Sequence, residues 1–163
     1  MIHIVNIKNQ ISKEVVDDIK IDILKTRHNQ DYNFEVFTKY KNRLYDIFIK
    51  QSKRILKKFT LKDENFSLWC YYTDHTYYKG DTWHNHIDTS TINAVLYLKT
   101  VDGKGIEFEH DGKTTYVEPK DFDLLIFPNY LNHRPLTSDT ETRISLNMEL
   151  RCNETSKEIF SER

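Results

Sequence analysis

The first third of the chain has the spacing of apolar residues that is typical of helices. Residues 2–7 form a short apolar stretch that predicts a strand. Ser12 is a suitable N-cap, and the apolar residues after it recur at helical spacing, which predicts a helix to about Arg27. A second helix is predicted over about 33–58, because large apolar side chains fall on one helical face. Those side chains are Phe34, Phe37, Leu44, Phe48, Ile55 and Phe59.

From about residue 65 the apolar residues follow the pattern of strands. Asp111 and Gly112 form a tight-turn signal between two of the strands, and Pro128 ends another. Six strands with short turns, preceded by helices, predict a mainly β protein (α+β), a small sandwich or jelly roll backed by two helices. The predicted strands cover 66–73, 91–100, 106–109, 114–117, 123–127 and 143–151.

The last of these strands has two distinct faces. Ile144, Leu146, Met148 and Leu150 alternate with Arg143, Ser145, Asn147 and Glu149, so one face is apolar and the other is solvated or functional. A guanidinium inside a barrel is costly to bury unpaired, but it can bind a ligand carboxylate through two parallel hydrogen bonds. Arg143 could do this with help from the Ser145 hydroxyl. The alternative is that Arg143 pairs with a neighbouring Asp or Glu at the surface.

The composition is that of an ordinary globular protein. The chain has 163 residues, 38% hydrophobic and 30% charged, which suits one domain over 1–163. The 24 basic and 25 acidic residues nearly cancel, so nucleic acid is not an expected partner. No apolar stretch is long enough for a membrane span, and Met1–Gln10 lacks the pattern of a signal peptide. Cys70 and Cys152 are predicted to be free, buried thiols of a cytoplasmic protein.

Possible metal ligands are concentrated in residues 84–88. Residues two apart in a strand point to the same side, so His86 and Asp88 could bind one ion, and so could His84 and His86 instead. His133, just after a buried strand, would supply the third ligand. Two imidazoles and one carboxylate leave three positions open and favour Fe(II), whereas zinc prefers closed tetrahedral ligation. The alternative is a group of histidines that only make hydrogen bonds.

Together these residues resemble the 2-oxoglutarate (2OG) and Fe(II)-dependent oxygenases, most closely the prolyl 4-hydroxylase-like branch. The family has His-x-Asp, then a distal His, then about ten residues later a basic residue with a hydroxyl nearby. The corresponding residues here are His86, Asp88, His133, Arg143 and Ser145. The resemblance implies that the first three bind the metal and that the last two bind the far carboxylate of 2OG.

A second match lies upstream, where these enzymes carry Tyr-x-x-Gly-x-x-aromatic-x-x-His-x-Asp. Residues 77–88 fit this pattern with His86 as the first metal ligand. Tyr77, Gly80 and Trp83 then occupy the three earlier positions. The resemblance implies that Tyr77 contacts 2OG.

The resemblance also bears on the fold and on the next strand. It implies that Tyr97 lines the pocket for 2OG, and that 65–152 form a double-stranded β-helix, or jelly roll, supported by helices in 1–62. Many relatives have Pro-x-x-Gly-Asp before the distal His, whereas Asp121 or Phe122 stands at the glycine position here. This departure is expected to change a turn without affecting the chemistry.

The resemblance implies an enzyme that uses Fe(II), with 2OG and O₂ as co-substrates. It would decarboxylate 2OG to succinate and hydroxylate a small-molecule or peptide substrate, such as a prolyl residue, a free amino acid or another metabolite. His84 is extra to the pattern and is predicted to be a substrate contact or a surface residue.

Two other classes compete with this interpretation. One is a cupin-like metal enzyme that uses His84, His86 and His133 without 2OG, and the other is a non-enzymatic jelly-roll binding module. A nucleic-acid demethylase is disfavoured, because such enzymes carry a second Arg soon after the first and the next one here is Arg151.

Overall fold

A computed structural model describes residues 1–25, 34–62, 67–73 and 82–162, and for 23–25, 34–38 and 67–73 it describes the backbone alone. The described residues form three helices and eight strands. In chain order these are β1 (His3–Asn6), α1 (Lys13–Lys25), α2 (Phe34–Ile55), β2 (Ser67–Thr73), β3 (Ile92–Lys99), β4 (Ile106–His110), β5 (Lys113–Val117), β6 (Asp123–Pro128), β7 (Asn132–Pro135), β8 (Arg143–Leu150) and α3 (Ser156–Phe160).

The elements predicted from the sequence are present, with small differences at their ends. Two further elements, β7 and α3, were not predicted. They have four and five residues, too few for a periodic pattern to be recognised. The strand β7 carries His133, which the sequence predicted as a metal ligand.

The strands form two antiparallel sheets. The larger sheet has the order β1-β6-β3-β8-β2 and the smaller one β5-β4-β7. In the larger sheet Tyr97 of β3 lies opposite Ser145 of β8. An isolated bridge between His84 and His133 adds the segment around His84 to the smaller sheet, beside β7. The mainly β class with N-terminal helices is thereby confirmed.

One face of the larger sheet packs against the helices. Alternate side chains of β3, β6 and β8 point to this side and contact the apolar faces of α1, α2 and α3. The buried residues of this core include Val16, Ile19, Leu44, Phe48, Leu96, Leu98, Leu124, Ile126, Leu146, Met148 and Ile159. The described parts of the apolar faces predicted for the two long helices, such as Ile19 and Phe48, therefore build the core. The side chains of Phe34 and Phe37, also on the predicted face of α2, lie outside the described residues.

The other face of the larger sheet is turned toward the smaller sheet. A second apolar cluster fills part of this space, with Val95, Tyr97, Ile106, Phe108, Leu125, Phe127 and Leu131. The polar face of β8 lies on the same side and is buried rather than solvated. Arg143, Ser145 and Glu149 are 2%, 3% and 4% exposed. Charged side chains are rarely buried to this degree unless they are paired or hydrogen-bonded, and both Nη1 of Arg143 and Oε1 of Glu149 have such partners.

Two turns use the left-handed backbone conformation. Asp111 and Gly112 have φ of 51° and 73° and connect β4 to β5, as the sequence predicted. Phe122 has φ of 72°, in the turn before β6 where the resemblance predicts a glycine at Asp121 or Phe122. Asp123 and Lys120 hold this turn closed through two hydrogen bonds, at 3.0 and 2.8 Å. A bulky residue in this conformation is strained, so the departure from glycine has a structural cost.

No helix within the described ranges is long and apolar enough to cross a membrane. Cys152 is a free, buried thiol, and burial raises its pKa to about 12. The side chain of Cys70, the second predicted free thiol, lies outside the described residues.

Candidate metal centre

The backbone places two histidines of the 84–88 segment side by side. His84 pairs with His133 through reciprocal N–H to carbonyl hydrogen bonds of 3.0 and 2.9 Å. The N–H of His86 donates to the carbonyl of Asn129 at 2.9 Å. The chain is thus extended from His84 to His86, and side chains two apart in extended backbone point to one side.

Three imidazoles converge at this point. His84, His86 and His133 each offer a nitrogen such that all three atoms lie within 4.8 Å of one another. The ring centroids are 4.2 Å apart for His84 and His133, 5.1 Å for His86 and His133, and 5.3 Å for His84 and His86. Metal–nitrogen bonds of about 2.1 Å require two donors on one ion to lie within about 4.2 Å, so little movement is needed to ligate an ion.

Each ring has an acceptor at Nδ1. The Nδ1 of His84 lies 2.9 Å from the carbonyl of Thr82, and that of His133 lies 3.0 Å from the carbonyl of Leu131. The Nδ1 of His86 lies 2.8 Å from Oε1 of Glu149. We assign the Nδ1–H tautomer to all three rings on this basis, which leaves Nε2 as the nitrogen with the lone pair.

His133 is the most buried of the three histidines. Its ring lies 5.0 Å from the ring of Phe127 and 5.9 Å from that of Phe108. Burial, with smaller contributions from the nearby His84 and His86, lowers the pKa of His133 to about 3, against a hydrogen bond to Leu131 that raises it. The ring is therefore neutral at physiological pH, which is the form that binds a metal.

Asp88 lies outside this group. The N–H groups of Thr89 and Ser90 both donate to the carbonyl of His86 at 3.1 Å, so the chain turns directly after His86. Asp88 and Ile87 are exposed on that turn. The extended backbone assumed for the His86–Asp88 pair is present instead between His84 and His86. The assignment of Asp88 as a ligand stays a prediction.

Arg143, at the start of β8, lies on the face of the larger sheet that is turned toward the smaller sheet. It is buried, and its Nη1 donates to the carbonyl of Leu136 at 2.6 Å. Burial raises the pKa of Tyr97 to about 12, and the charge of Arg143 opposes that rise, so the two side chains are close. Tyr97 belongs to the apolar cluster that also contains Phe127, which contacts His133. Both groups, Arg143 and His133, therefore lie on the side of the larger sheet that is turned toward the smaller sheet.

Tyr77, the other residue predicted to contact 2OG, lies outside the described residues, as does Gly80. Trp83 is described, and the guanidinium carbon of Arg134 lies over its ring, 4.7 Å from the ring centroid. Arg134 also pairs with Glu107 at 2.9 Å on the neighbouring strand. This cluster flanks the histidines on the side of the smaller sheet.

Solved structures with the same architecture identify the fold. A prolyl-4-hydroxylase of Pseudomonas putida matches with a TM-score of 0.64 and 16% identity, over 94% of this chain and 93% of that one. A second match is a prolyl hydroxylase from Trichoplax adhaerens, in complex with a peptide fragment of the hypoxia inducible factor oxygen degradation domain. Its TM-score is 0.58 at 11% identity, over 92% of this chain and 83% of that one. A third is a viral collagen prolyl hydroxylase of Paramecium Bursaria Chlorella virus-1, in complex with 2OG, with a TM-score of 0.50 and 17% identity over 94% of this chain and 96% of that one.

The chain has the prolyl-hydroxylase fold. The predicted jelly roll is thus confirmed, and so is the resemblance at the level of fold. No family model matches the sequence, and no curated protein matches it either. The prolyl-hydroxylase fold is therefore recognised here from structure at low sequence identity.

Within the prolyl-hydroxylase fold, the donors fit a divalent transition metal. Imidazole nitrogen is a preferred ligand of Fe, Zn, Cu and Ni, and His133 is held neutral by burial. The three rings are arranged around one point, with their Nδ1 atoms already engaged. A metal centre formed by these residues is chemically reasonable.

Glu149, which contacts His86, is a residue of the site to which the sequence assigned no role. Its only signal was its position on the polar face of β8, two residues after Asn147 and four after Ser145. That alternation identifies the face but not the partner, because His86 is distant in sequence.

Proposed function

We propose that this chain is an Fe(II)- and 2OG-dependent oxygenase, one domain over 1–163, that hydroxylates a small molecule or a peptide. One observation carries the proposal: three imidazoles converge, and the guanidinium of Arg143 is buried on the face of the larger sheet that is turned toward the smaller sheet. A metal site and a buried cation on the same side of that sheet suit a ligand with an acid at each end. The fold of solved prolyl hydroxylases supports the same function.

In this proposal His86, Asp88 and His133 bind the metal. The ligand nitrogens of His86 and His133 lie within 4.8 Å of each other, so little movement would bring both onto one ion, which supports both assignments. Asp88 follows His86 by two residues, on an exposed turn from which a change of backbone conformation could bring its carboxylate to the metal. His84 occupies the third position in the conformation described.

The residues near the start of β8 are proposed to bind 2OG. Arg143 would pair with the far carboxylate, Ser145 and Tyr97 lie on adjacent strands beside it, and Tyr77 would make a further contact. Bound Fe(II) would supply the activation of O₂, with decarboxylation of 2OG to succinate and hydroxylation of the substrate. The apolar residues around His133, such as Phe108 and Phe127, exclude water from that chemistry.

One observation favours a second candidate, a cupin-like metal enzyme that does not use 2OG. The group whose nitrogens lie within 4.8 Å of one another is His84, His86 and His133, which is the set that such an enzyme would use here. The buried Arg143 favours the oxygenase, because a guanidinium can bind the far carboxylate of 2OG. A binding module without catalysis explains neither feature.

The test begins with the cofactors rather than the substrate. The purified protein is mixed with Fe(II) and 2OG without oxygen, and the visible charge-transfer absorption of the chelate is recorded. Oxygen is then admitted and succinate is assayed. We expect the band and slow succinate formation. Iron binding without a band would favour the cupin-like class, and no iron binding would favour a non-enzymatic module.

A further inference from the structure

Glu149 is a buried acid beside the metal centre. It lies on the inner face of β8, opposite Asn93 of β3, and is 4% exposed. An ionised carboxylate in such a place is destabilising unless hydrogen bonds and a positive charge compensate for it. Its surroundings therefore indicate what it is there to do.

One carboxylate oxygen contacts both His86 and the turn that follows it. Oε1 of Glu149 lies 2.8 Å from Nδ1 of His86, and the hydroxyl of Thr89 donates to the same oxygen at 3.1 Å. The N–H of Thr89 in turn donates to the carbonyl of His86. Glu149 thus fixes the ring of His86 and its backbone at once.

The three imidazoles differ in the acceptor at Nδ1. His84 and His133 donate to backbone carbonyls, which carry no net charge. His86 donates to a carboxylate. A carboxylate makes the opposite ring nitrogen a stronger donor to a cation, and the cation in turn compensates the buried negative charge. The arrangement is suited to a divalent ion on the Nε2 side of His86.

We infer that Glu149 is a positioning residue of the metal centre, which orients His86 and strengthens its bond to a divalent ion. This inference rests on the proposed metal site but not on the use of 2OG. It holds whether Asp88 or His84 supplies the third ligand, because His86 belongs to both sets.

The experiment measures binding of Fe(II) alone, under anaerobic conditions, to the wild-type protein and to Glu149→Gln. The amide keeps the shape of the side chain and an acceptor oxygen but removes the charge. We expect the Kd for Fe(II) to rise about 10- to 100-fold. Co(II) is bound in parallel, and its visible ligand-field spectrum should change in Glu149→Gln, which a merely structural role would not produce.

Two further variants keep the result interpretable. Glu107→Gln removes another paired glutamate, the partner of Arg134, and should leave the Kd unchanged. Thr89→Val removes only the exposed hydroxyl that donates to Glu149, and should raise the Kd about threefold with the fold intact. If Glu149→Gln does not fold, Thr89→Val carries the test.

The outcomes separate this inference from the oxygenase proposal. Equal Fe(II) affinity and equal Co(II) spectra in wild type and Glu149→Gln would overturn the role of Glu149. A raised Kd supports it even if 2OG gives no charge-transfer band, a result that would refute only the oxygenase. A wild-type protein that binds neither metal would overturn both.

Discussion

His84 and His133 face each other across an antiparallel bridge in which each backbone N–H donates to the carbonyl of the other. Residues paired in this way have their side chains on the same side of the sheet, and the two rings are 4.2 Å apart. The position of His84 beside His133, in the candidate metal site, is therefore fixed by the backbone. Asp88, by contrast, is exposed on the turn after His86.

The first prediction distinguishes these two candidates for the third ligand. We expect Asp88→Ala to abolish Fe(II)-dependent succinate formation, because the proposed oxygenase needs a carboxylate to complete its ligand set. His84→Ala should keep turnover, with weaker binding of the resting metal. Fe(II) affinity and succinate are measured for both variants. The reverse pattern, turnover lost in His84→Ala and kept in Asp88→Ala, would establish a three-histidine site.

The second prediction concerns Arg143, the buried cation proposed to bind the far carboxylate of 2OG. Arg143→Ala should raise the KM for 2OG about 30- to 150-fold, since losing a charge-assisted bidentate pair costs on the order of 2–3 kcal/mol. Arg143→Lys keeps the charge without the fork and should raise KM less, with kcat at saturating 2OG nearly unchanged. Steady-state kinetics separate the two effects.

The matched control for this prediction is Arg54→Lys, an exposed arginine at the end of α2, which should not change the KM for 2OG. An unchanged KM in Arg143→Ala would contradict the assignment of Arg143. Because Arg143 also donates to the carbonyl of Leu136, the fold of each variant is checked by thermal unfolding.

Much of the fold was predictable because its signals are periodic. The alternation along β8 predicted which side chains share its polar face, and the structure buries Arg143 and Ser145 on that face. The helices were recognised from their apolar faces for the same reason. Elements of four or five residues, such as β7 and α3, contain no full pattern and were missed.

The composition of the site was less predictable, because it depends on local geometry and distant contacts. His84, His86 and Asp88 have the same spacing, so only the turn after His86 separates their roles. That turn leaves no clear mark in the sequence. The contact between Glu149 and His86 joins residues far apart in the chain, and nothing in either neighbourhood indicates it.

The third prediction is that the free energy of unfolding depends on pH through the ionisation of Tyr97. Its folded-state pKa is about 12, raised by burial, against about 10 in an unfolded chain. The neutral phenol therefore contributes stability that is fully present below about pH 10 and is lost as the pH rises toward 12. Between about pH 9 and pH 11 the ionisation of this residue should lower the free energy of unfolding by about 1 kcal/mol.

Tyr97→Phe keeps the buried ring and removes the ionisable group. Its free energy of unfolding should fall less steeply between about pH 9 and pH 11 than that of the wild type. Urea denaturation at both pH values measures the difference. Parallel pH profiles for the two proteins would mean that Tyr97 is not shielded from solvent as described.

The last prediction concerns Phe122, whose φ of 72° is the conformation that glycine adopts without strain. Phe122→Gly and Phe122→Ala both remove the ring, but alanine keeps the Cβ that clashes in this conformation. We expect Phe122→Gly to be more stable than Phe122→Ala by about 1 kcal/mol in urea denaturation. Phe160, packed against the same core from α3, is the control, and there alanine should be the more stable replacement. The same order at both positions, with alanine ahead, would show that the turn at Phe122 relaxes to a negative φ when the ring is removed.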